Sequence, residues 1–158
     1  MATMKDIDLQ ALVGTKLESG YLKIDQEHLS EFAHATYLDE EYVDLTVSKN
    51  NALGPELVDG FLLLSLLTYF SFDQPLIEVE GAYGFNYGLD KVRFMAPVMV
   101  NDEVRVVREI TSAVSKTDTR ARLVESITMY KRGFDHPVMV ADWVMMYVDR
   151  LVEEGKTS

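Results

Sequence analysis

One long apolar segment, GFLLLSLLTYF at residues 60–70, limits what this chain can fold into more than any other feature of the sequence. The segment is hydrophobic all round, so as a helix it is expected to be buried on all sides. The turn-forming stretch GPELVD precedes it, and Asp59 lies where an aspartate often caps a helix. The sequence therefore predicts a central helix that begins at Gly60, with Asp59 either as its cap or as a group that does chemistry there.

Strand patterns follow this helix after Gln74 and Pro75. Four segments, 82–95, 103–114, 119–131 and 138–149, are rich in β-branched and aromatic residues or alternate between apolar and polar residues. The turns between the later strands are predicted at 116–119 and 132–137. The alternation places two sets of residues on buried faces: Val104, Val106 and Ile110, and then Ala121, Leu123, Ile127 and Met129. The last strand has few charges, which suits the middle of a sheet.

The first third of the chain is less regular. Residues 25–36 have apolar residues at helical spacing, with Asp25 as the expected N-cap. Residues 37–58 read as an acidic, irregular stretch followed by an exposed loop. A chain of 158 residues has the size of one domain. We therefore predict a single α+β domain over residues 1–158, in which an antiparallel sheet wraps around one apolar helix, the arrangement of the hot-dog fold.

Composition excludes several classes of partner and site. The formal net charge is −11, and nucleic acids and anionic membranes bind clustered basic residues, so neither is expected as a partner. With no cysteine and three scattered histidines, we expect no metal site and no cofactor. The first ten residues lack the pattern of a signal peptide, and the apolar segment is shorter than the roughly 20 residues of a membrane span. A cytoplasmic location is expected.

A family resemblance rests on FNYGLDKVRFMAPVMVNDEVRV, residues 85–106, together with FAHAT at 32–36 and PVMVADW at 137–143. These segments resemble the MaoC-like dehydratases and (R)-specific enoyl-CoA hydratases, above all the branch that includes nodulation protein N. The resemblance covers residues 12–150. It implies a hot-dog fold, a homodimer with the acyl tunnel at its interface, and a small acyl substrate linked to CoA or to a carrier.

The resemblance also implies a site, from which this chain departs. The family has an Asp and a His in the pattern D-x-x-x-x-H, and its central helix begins with A-H-G. With one extra residue allowed after Thr36, Asp39 matches the family Asp and Asp44 stands in place of the His. The helix begins instead with Val58, Asp59 and Gly60. The resemblance makes the Gly60 N–H the donor to the thioester oxygen, and Tyr42, Asn86, Tyr87 and Gly88 are expected to border the acyl pocket.

Three functions fit a site that has aspartates in place of histidines. One is a hydratase or dehydratase in which Asp39 and Asp44 share proton transfer, one of them protonated because its pKa is raised near an apolar pocket. The second is an isomerase, a cyclase or an epoxide-opening enzyme that acts on an apolar, polyketide-like substrate. The third is a non-catalytic binding subunit, with residues 37–45 as a solvated acidic loop.

Overall fold

Six antiparallel strands form one sheet in the computed structural model, which describes residues 4–150 and 154–155 and, at Lys5, the backbone alone. The strands are β1 (Lys16–Glu18), β2 (Leu22–Lys23), β3 (Ala82–Phe94), β4 (Glu103–Thr117), β5 (Arg120–Lys131) and β6 (Met139–Asp149). Their order is β1-β4-β5-β6-β3, and β2 also pairs with β4. This confirms the four predicted strands, the interior position of the last one and the α+β hot-dog class. The short strands β1 and β2 were not predicted.

The helices are α1 (Leu9–Leu12), α2 (Gln26–Ala35), α3 (Thr46–Lys49) and α4 (Gly60–Asp73), with 3₁₀ turns at Met4–Asp6 and Gly54–Glu56. The predicted cap of α2 is confirmed, because the Asp25 carboxylate accepts a hydrogen bond from the His28 N–H at 3.0 Å. No helix in the described part of the chain has the length and apolar character needed to cross a membrane.

The central helix α4 is buried on one face only, so the prediction that it is buried on all sides was wrong. Leu62, Leu63, Leu67 and Phe70 are buried against the sheet. The exposed residues of the helix recur at helical spacing and form the opposite face: Phe61, Ser65, Thr68, Tyr69, Phe72 and Asp73. The sheet curves around one side of the helix, and no described part of the chain covers the other.

The core between α4 and the sheet contains a buried ion pair. All seven residues predicted to face the core from β4 and β5 are buried, which confirms those predictions. Arg108 and Glu125 lie on the same two faces and are 2% and 1% exposed. The Nε and Nη2 atoms of Arg108 each donate to the Glu125 carboxylate at 3.0 Å. Its Nη1 donates to the carbonyl oxygens of Phe70 at 2.9 Å and Gln74 at 2.8 Å, which fixes the end of α4 to the sheet.

Strand β3 lies at the edge of the sheet and pairs only with β6 among the described strands. Five of its large apolar side chains are 40% to 62% exposed: Tyr83, Phe85, Tyr87, Leu89 and Phe94. An apolar edge strand of 13 residues is a template for pairing with another chain. The free edge of β3 and the exposed face of α4 together form a large apolar surface.

Candidate functional site

The N-terminus of α4 is capped by Asp59, as predicted. The Asp59 Oδ1 accepts a hydrogen bond from the Phe61 N–H at 2.7 Å. Its main-chain oxygen accepts from the N–H groups of Leu62 at 3.0 Å and Leu63 at 3.3 Å. Among the residues that the structure describes, the N–H of Gly60 has no hydrogen-bond partner. It is therefore a free donor at the positive end of the helix dipole.

A cavity of about 420 Å³, which we call the cap cavity, opens at this free N–H group. Its walls are mostly apolar and include Leu57, Leu63, Phe94, Met95, Pro97 and Val98. Asp59 is the one titratable side chain among the described residues that line it. Apolar walls reduce screening by water, so a donor in this position stabilises negative charge on a bound oxygen better than the same donor would in solution.

The Phe94 ring explains why residue 60 is a glycine. A Cβ atom placed on Gly60 would lie 2.8 to 3.0 Å from three carbon atoms of that ring, closer than real Cβ contacts. The backbone at Gly60 does not have the positive φ angle that would itself require glycine. The conflict is therefore steric and involves the outer end of the Phe94 ring, which closes one side of the cap cavity by lying directly on the first residue of the helix.

Replacing Gly60 with alanine is expected to lower the free energy of unfolding by about 0.5–1.5 kcal/mol, because the new methyl group forces the half-exposed Phe94 ring away from its preferred rotamer. Urea denaturation of the single variants Gly60→Ala and Phe94→Leu and of the double variant measures the coupling between the two sites. We expect the double variant to recover part of the loss. Gly88→Ala is the control, because a Cβ there meets no atom within 4 Å. Equal stability of Gly60→Ala and wild type would contradict the steric explanation.

The acidic loop carries Asp39 and Asp44, which are both exposed and do not line the cap cavity. Asp39 Oδ1 accepts from the Glu41 N–H at 3.1 Å. Asp44 Oδ1 accepts from the hydroxyl of Thr46 at 2.6 Å and from its N–H at 2.9 Å. These two hydrogen bonds, the hydroxyl first, hold the pKa of Asp44 below its ordinary value. That direction is opposite to the raised pKa that a general acid at Asp44 needs.

Tyr42 lies in the same loop and is 59% exposed. Its ring packs edge-on against Tyr37, with the ring centroids 5.3 Å apart. Tyr42 and Asp44 border a shallow depression formed by residues 40–45. The structure therefore places these two predicted residues together, at a surface separate from the cap cavity.

The remaining predicted residues, Asn86, Tyr87 and Gly88, line a second cavity of about 520 Å³ between α4 and β3, which we call the strand cavity. Phe61 lines both cavities.

Sequence reasoning missed Trp143, whose indole N–H donates to Asn86 Oδ1 at 2.9 Å. The pairing of β3 with β6 skips Tyr87, which makes that residue a β-bulge. The sequence did offer a signal for Trp143, because it is the one tryptophan of the chain and lies in the PVMVADW segment on which the resemblance rests.

Within the described residues, no group of three His, Asp or Glu side chains is placed to hold a metal ion. The site consists of a free N–H group, one carboxylate and apolar walls in the cap cavity, and of an amide, two helix hydroxyl groups and aromatic rings in the strand cavity. The first arrangement suits stabilisation of an oxyanion together with proton transfer, and the second suits ligand binding.

Comparison with solved structures identifies the fold of this chain, and comparison with known sequences identifies its family. A MaoC-like dehydratase from Rhodospirillum rubrum superposes with a TM-score of 0.67 at 14% identity, covering 95% of this chain and 99% of that one. That likeness confirms the hot-dog fold. The 3-hydroxyacyl-thioester dehydratase Z of Mycobacterium tuberculosis strain H37Rv is 31% identical over 153 residues, which cover 94% of this chain and 99% of the relative. The chain belongs to the MaoC-like dehydratase family.

The MaoC-like assignment confirms the resemblance that was read from residues 85–106. Nodulation protein N of Rhizobium leguminosarum bv. viciae is 29% identical over 142 residues, which cover 87% of each chain. A scan against models of known protein families finds no match. In this MaoC-like chain, Asp59 lies directly before Gly60, at the position where the resemblance predicts a histidine.

Proposed function

We propose that the protein is an acyl-thioester hydro-lyase, which adds water to a trans-2-enoyl thioester or removes water from a 3-hydroxyacyl thioester. Its relative from Mycobacterium tuberculosis is named as a dehydratase of 3-hydroxyacyl thioesters and matches nearly the whole chain. The observation that carries the proposal is the free Gly60 N–H beside one carboxylate at an apolar cavity. A thioester oxygen bound at that N–H would be polarised toward the enolate that hydration forms.

We assign the proton transfer in this cavity to Asp59. Its Oδ1 is occupied by the Phe61 N–H, and its second oxygen is left to accept a proton from a water molecule. As that proton moves to Asp59, the hydroxide adds to C3, and the negative charge passes to the enolate oxygen at Gly60. Protonated Asp59 then returns the proton to C2. One negative charge is present at each stage, so the carboxylate is neutral when the enolate beside it is charged.

Asp39 and Asp44 are the second candidates for this role, because the resemblance places them in the catalytic loop. Their exposure and the lowered pKa of Asp44 favour Asp59 over them. Substitution of each carboxylate in turn separates the two assignments, since Asp59 and the two loop residues lie on different elements.

The proposed activity is tested by mixing purified protein with short and medium trans-2-enoyl-CoA and following the loss of enoyl absorbance from about pH 5 to pH 9. Turnover well above that of a buffer blank and of a protein blank supports a hydro-lyase. A folded protein that turns over no enoyl-CoA of any length contradicts the proposal for CoA substrates. That result favours the isomerase, cyclase or epoxide-opening alternative, or a non-catalytic subunit.

The proposed assembly is a homodimer in which β3 of one copy pairs with β3 of the other. The support is the apolar surface formed by the free β3 edge and the exposed face of α4. Pairing at this edge would satisfy the backbone groups of β3 and would cover the strand cavity. The acyl substrate would then bind in a pocket that the second copy closes.

Replacing Leu89 with lysine is expected to convert this dimer to a monomer, because each interface would gain two buried positive charges. Sedimentation equilibrium should give about twice the chain mass of 17.9 kDa for the wild type and the chain mass for Leu89→Lys. Val114→Lys is the control, because Val114 is equally exposed, at 42% against 43%, and lies on β4. A wild-type protein of single-chain mass, or a dimer in both variants, would contradict this assembly.

A further inference from the structure

The strand cavity contains a side-chain amide whose orientation is fixed. The Trp143 side chain is buried, and its indole nitrogen can only donate a hydrogen bond. The atom of Asn86 that faces it at 2.9 Å must therefore be the carbonyl oxygen Oδ1. The amide nitrogen Nδ2 of Asn86 has no hydrogen-bond partner in the described part of the chain, so its two N–H groups are available to a ligand.

Hydroxyl groups of α4 line the same cavity opposite this amide. Ser65 Oγ donates to the Phe61 carbonyl at 2.8 Å, which leaves its lone pairs as acceptors. The Thr68 hydroxyl lies one turn further along and can donate or accept. The rest of the wall is apolar and combines the aromatic rings of Phe61, Tyr87 and Trp143 with aliphatic side chains of α4 and β3: Leu64, Leu67 and Leu89. Asn86 is exposed in the single chain, so its donors lose water only where the second copy of the proposed dimer and a bound chain close the cavity. A saturated hydrocarbon chain would then leave these donors without a partner, which costs binding free energy.

We propose that the strand cavity binds an acyl chain that carries an oxygen acceptor, such as a keto group, in its outer part, and that Asn86 Nδ2 donates to that oxygen. This proposal rests on the proposed function, because it takes from that function the position of the thioester group at Gly60. Ser65 and Thr68 lie about 8 and 12 Å beyond Gly60 along the helix axis at the usual helical rise. An acyl chain that starts in the cap cavity and passes Phe61, which lines both cavities, brings its outer carbons to this cluster.

Trp143 makes this binding directly observable, because it is the one tryptophan in the sequence and lies in the cavity. Titrating the wild-type protein with 7-oxooctanoyl-CoA and with octanoyl-CoA should change its fluorescence in both cases. We expect the keto compound to bind about three- to tenfold more tightly, the effect of one net hydrogen bond. Equal affinities, or no binding of either thioester, would overturn the proposal.

The variant Asn86→Asp tests the amide donor itself. It keeps an oxygen for the Trp143 N–H and replaces the Nδ2 donor with a second acceptor, so the preference for the keto compound should disappear. Asn50→Asp, which adds the same charge outside both cavities, should keep the preference. Trp143→Phe, with affinities measured by calorimetry, should weaken the preference for the keto compound, because the Asn86 amide is then free to rotate. A keto preference that persists in Asn86→Asp would overturn the proposal.

These titrations separate the inference from the proposed function. Keto-selective binding without hydration of any enoyl-CoA would leave the strand cavity assigned and remove the hydro-lyase activity. Hydration without keto selectivity would keep the activity and overturn the assignment of Asn86.

Discussion

Replacing Asp59 with asparagine is expected to lower the rate of trans-2-enoyl-CoA hydration by about 10²- to 10⁴-fold, the usual contribution of a general acid–base group. Asparagine caps a helix as well as aspartate does, and its side-chain oxygen can still accept from the Phe61 N–H. The fold should therefore be retained, while the side chain can no longer take a proton from water. Initial rates of enoyl absorbance loss, together with a urea unfolding curve of the same preparation, measure the two effects separately.

Asp39→Asn and Asp44→Asn are the matched comparisons for Asp59→Asn. Each changes one carboxylate to an amide of the same shape, and asparagine at residue 44 can still accept from Thr46. We expect both loop variants to stay within about tenfold of the wild-type rate, because neither residue lines the cap cavity. A large loss in Asp44→Asn with an active Asp59→Asn would reverse the assignment and return the proton transfer to the acidic loop.

The spacing of apolar residues along the sequence predicted most of the helices and strands. Alternation with a period of two marks β4 and β5, because each has one face on the core. The small number of charges marks β6, which is buried along most of its length in the interior of the sheet. The spacing of apolar residues could not predict that one face of α4 is exposed. Phe61, Tyr69 and Phe72 are apolar although no described part of the chain covers them, so the sequence pattern of a helix covered on one side is identical to that of a fully buried helix.

The site was predictable as far as local chemistry defines it. Asp59 and Gly60 are recognisable because an N-cap and the first residue of a helix depend on neighbours in the sequence. The contacts that give the site its shape join distant residues. Phe94 packs on Gly60, and Trp143 holds Asn86 across 57 positions of the chain. Nothing in the spacing of these residues encodes such contacts, because they depend on how β3 and β6 pair beside α4.

The buried ion pair between Arg108 and Glu125 was not predicted, although the sequence contains a signal for it. Arg108 has the same alternation as Val104, Val106 and Ile110, and it is as deeply buried as they are. Glu125 occupies the equivalent place on β5. A charged residue on an apolar face is easily taken as a break in the pattern, yet two of opposite sign on adjacent strands indicate a buried pair. The pair also satisfies two carbonyl groups at the end of α4.

Replacing Arg108 with methionine should therefore lower the free energy of unfolding by about 3–5 kcal/mol, the usual cost of removing one partner of a buried pair. The Glu125 carboxylate would remain buried without its partner, and the carbonyl oxygens of Phe70 and Gln74 would lose their donor. Urea unfolding at about pH 7 gives the loss.

Two further variants decide whether charge or packing is responsible. Arg132→Met removes an arginine from an exposed pair with Glu103, whose two side chains are 59% and 38% exposed. Exposed pairs contribute about 0–1 kcal/mol, so this variant should unfold close to wild type. The double variant Arg108→Met, Glu125→Met should recover part of the loss, because no unpaired charge remains, but the carbonyl groups at the end of α4 still lack a donor. A loss of stability in Arg108→Met no larger than the loss in Arg132→Met would show that the ion pair does not hold the central helix to the sheet.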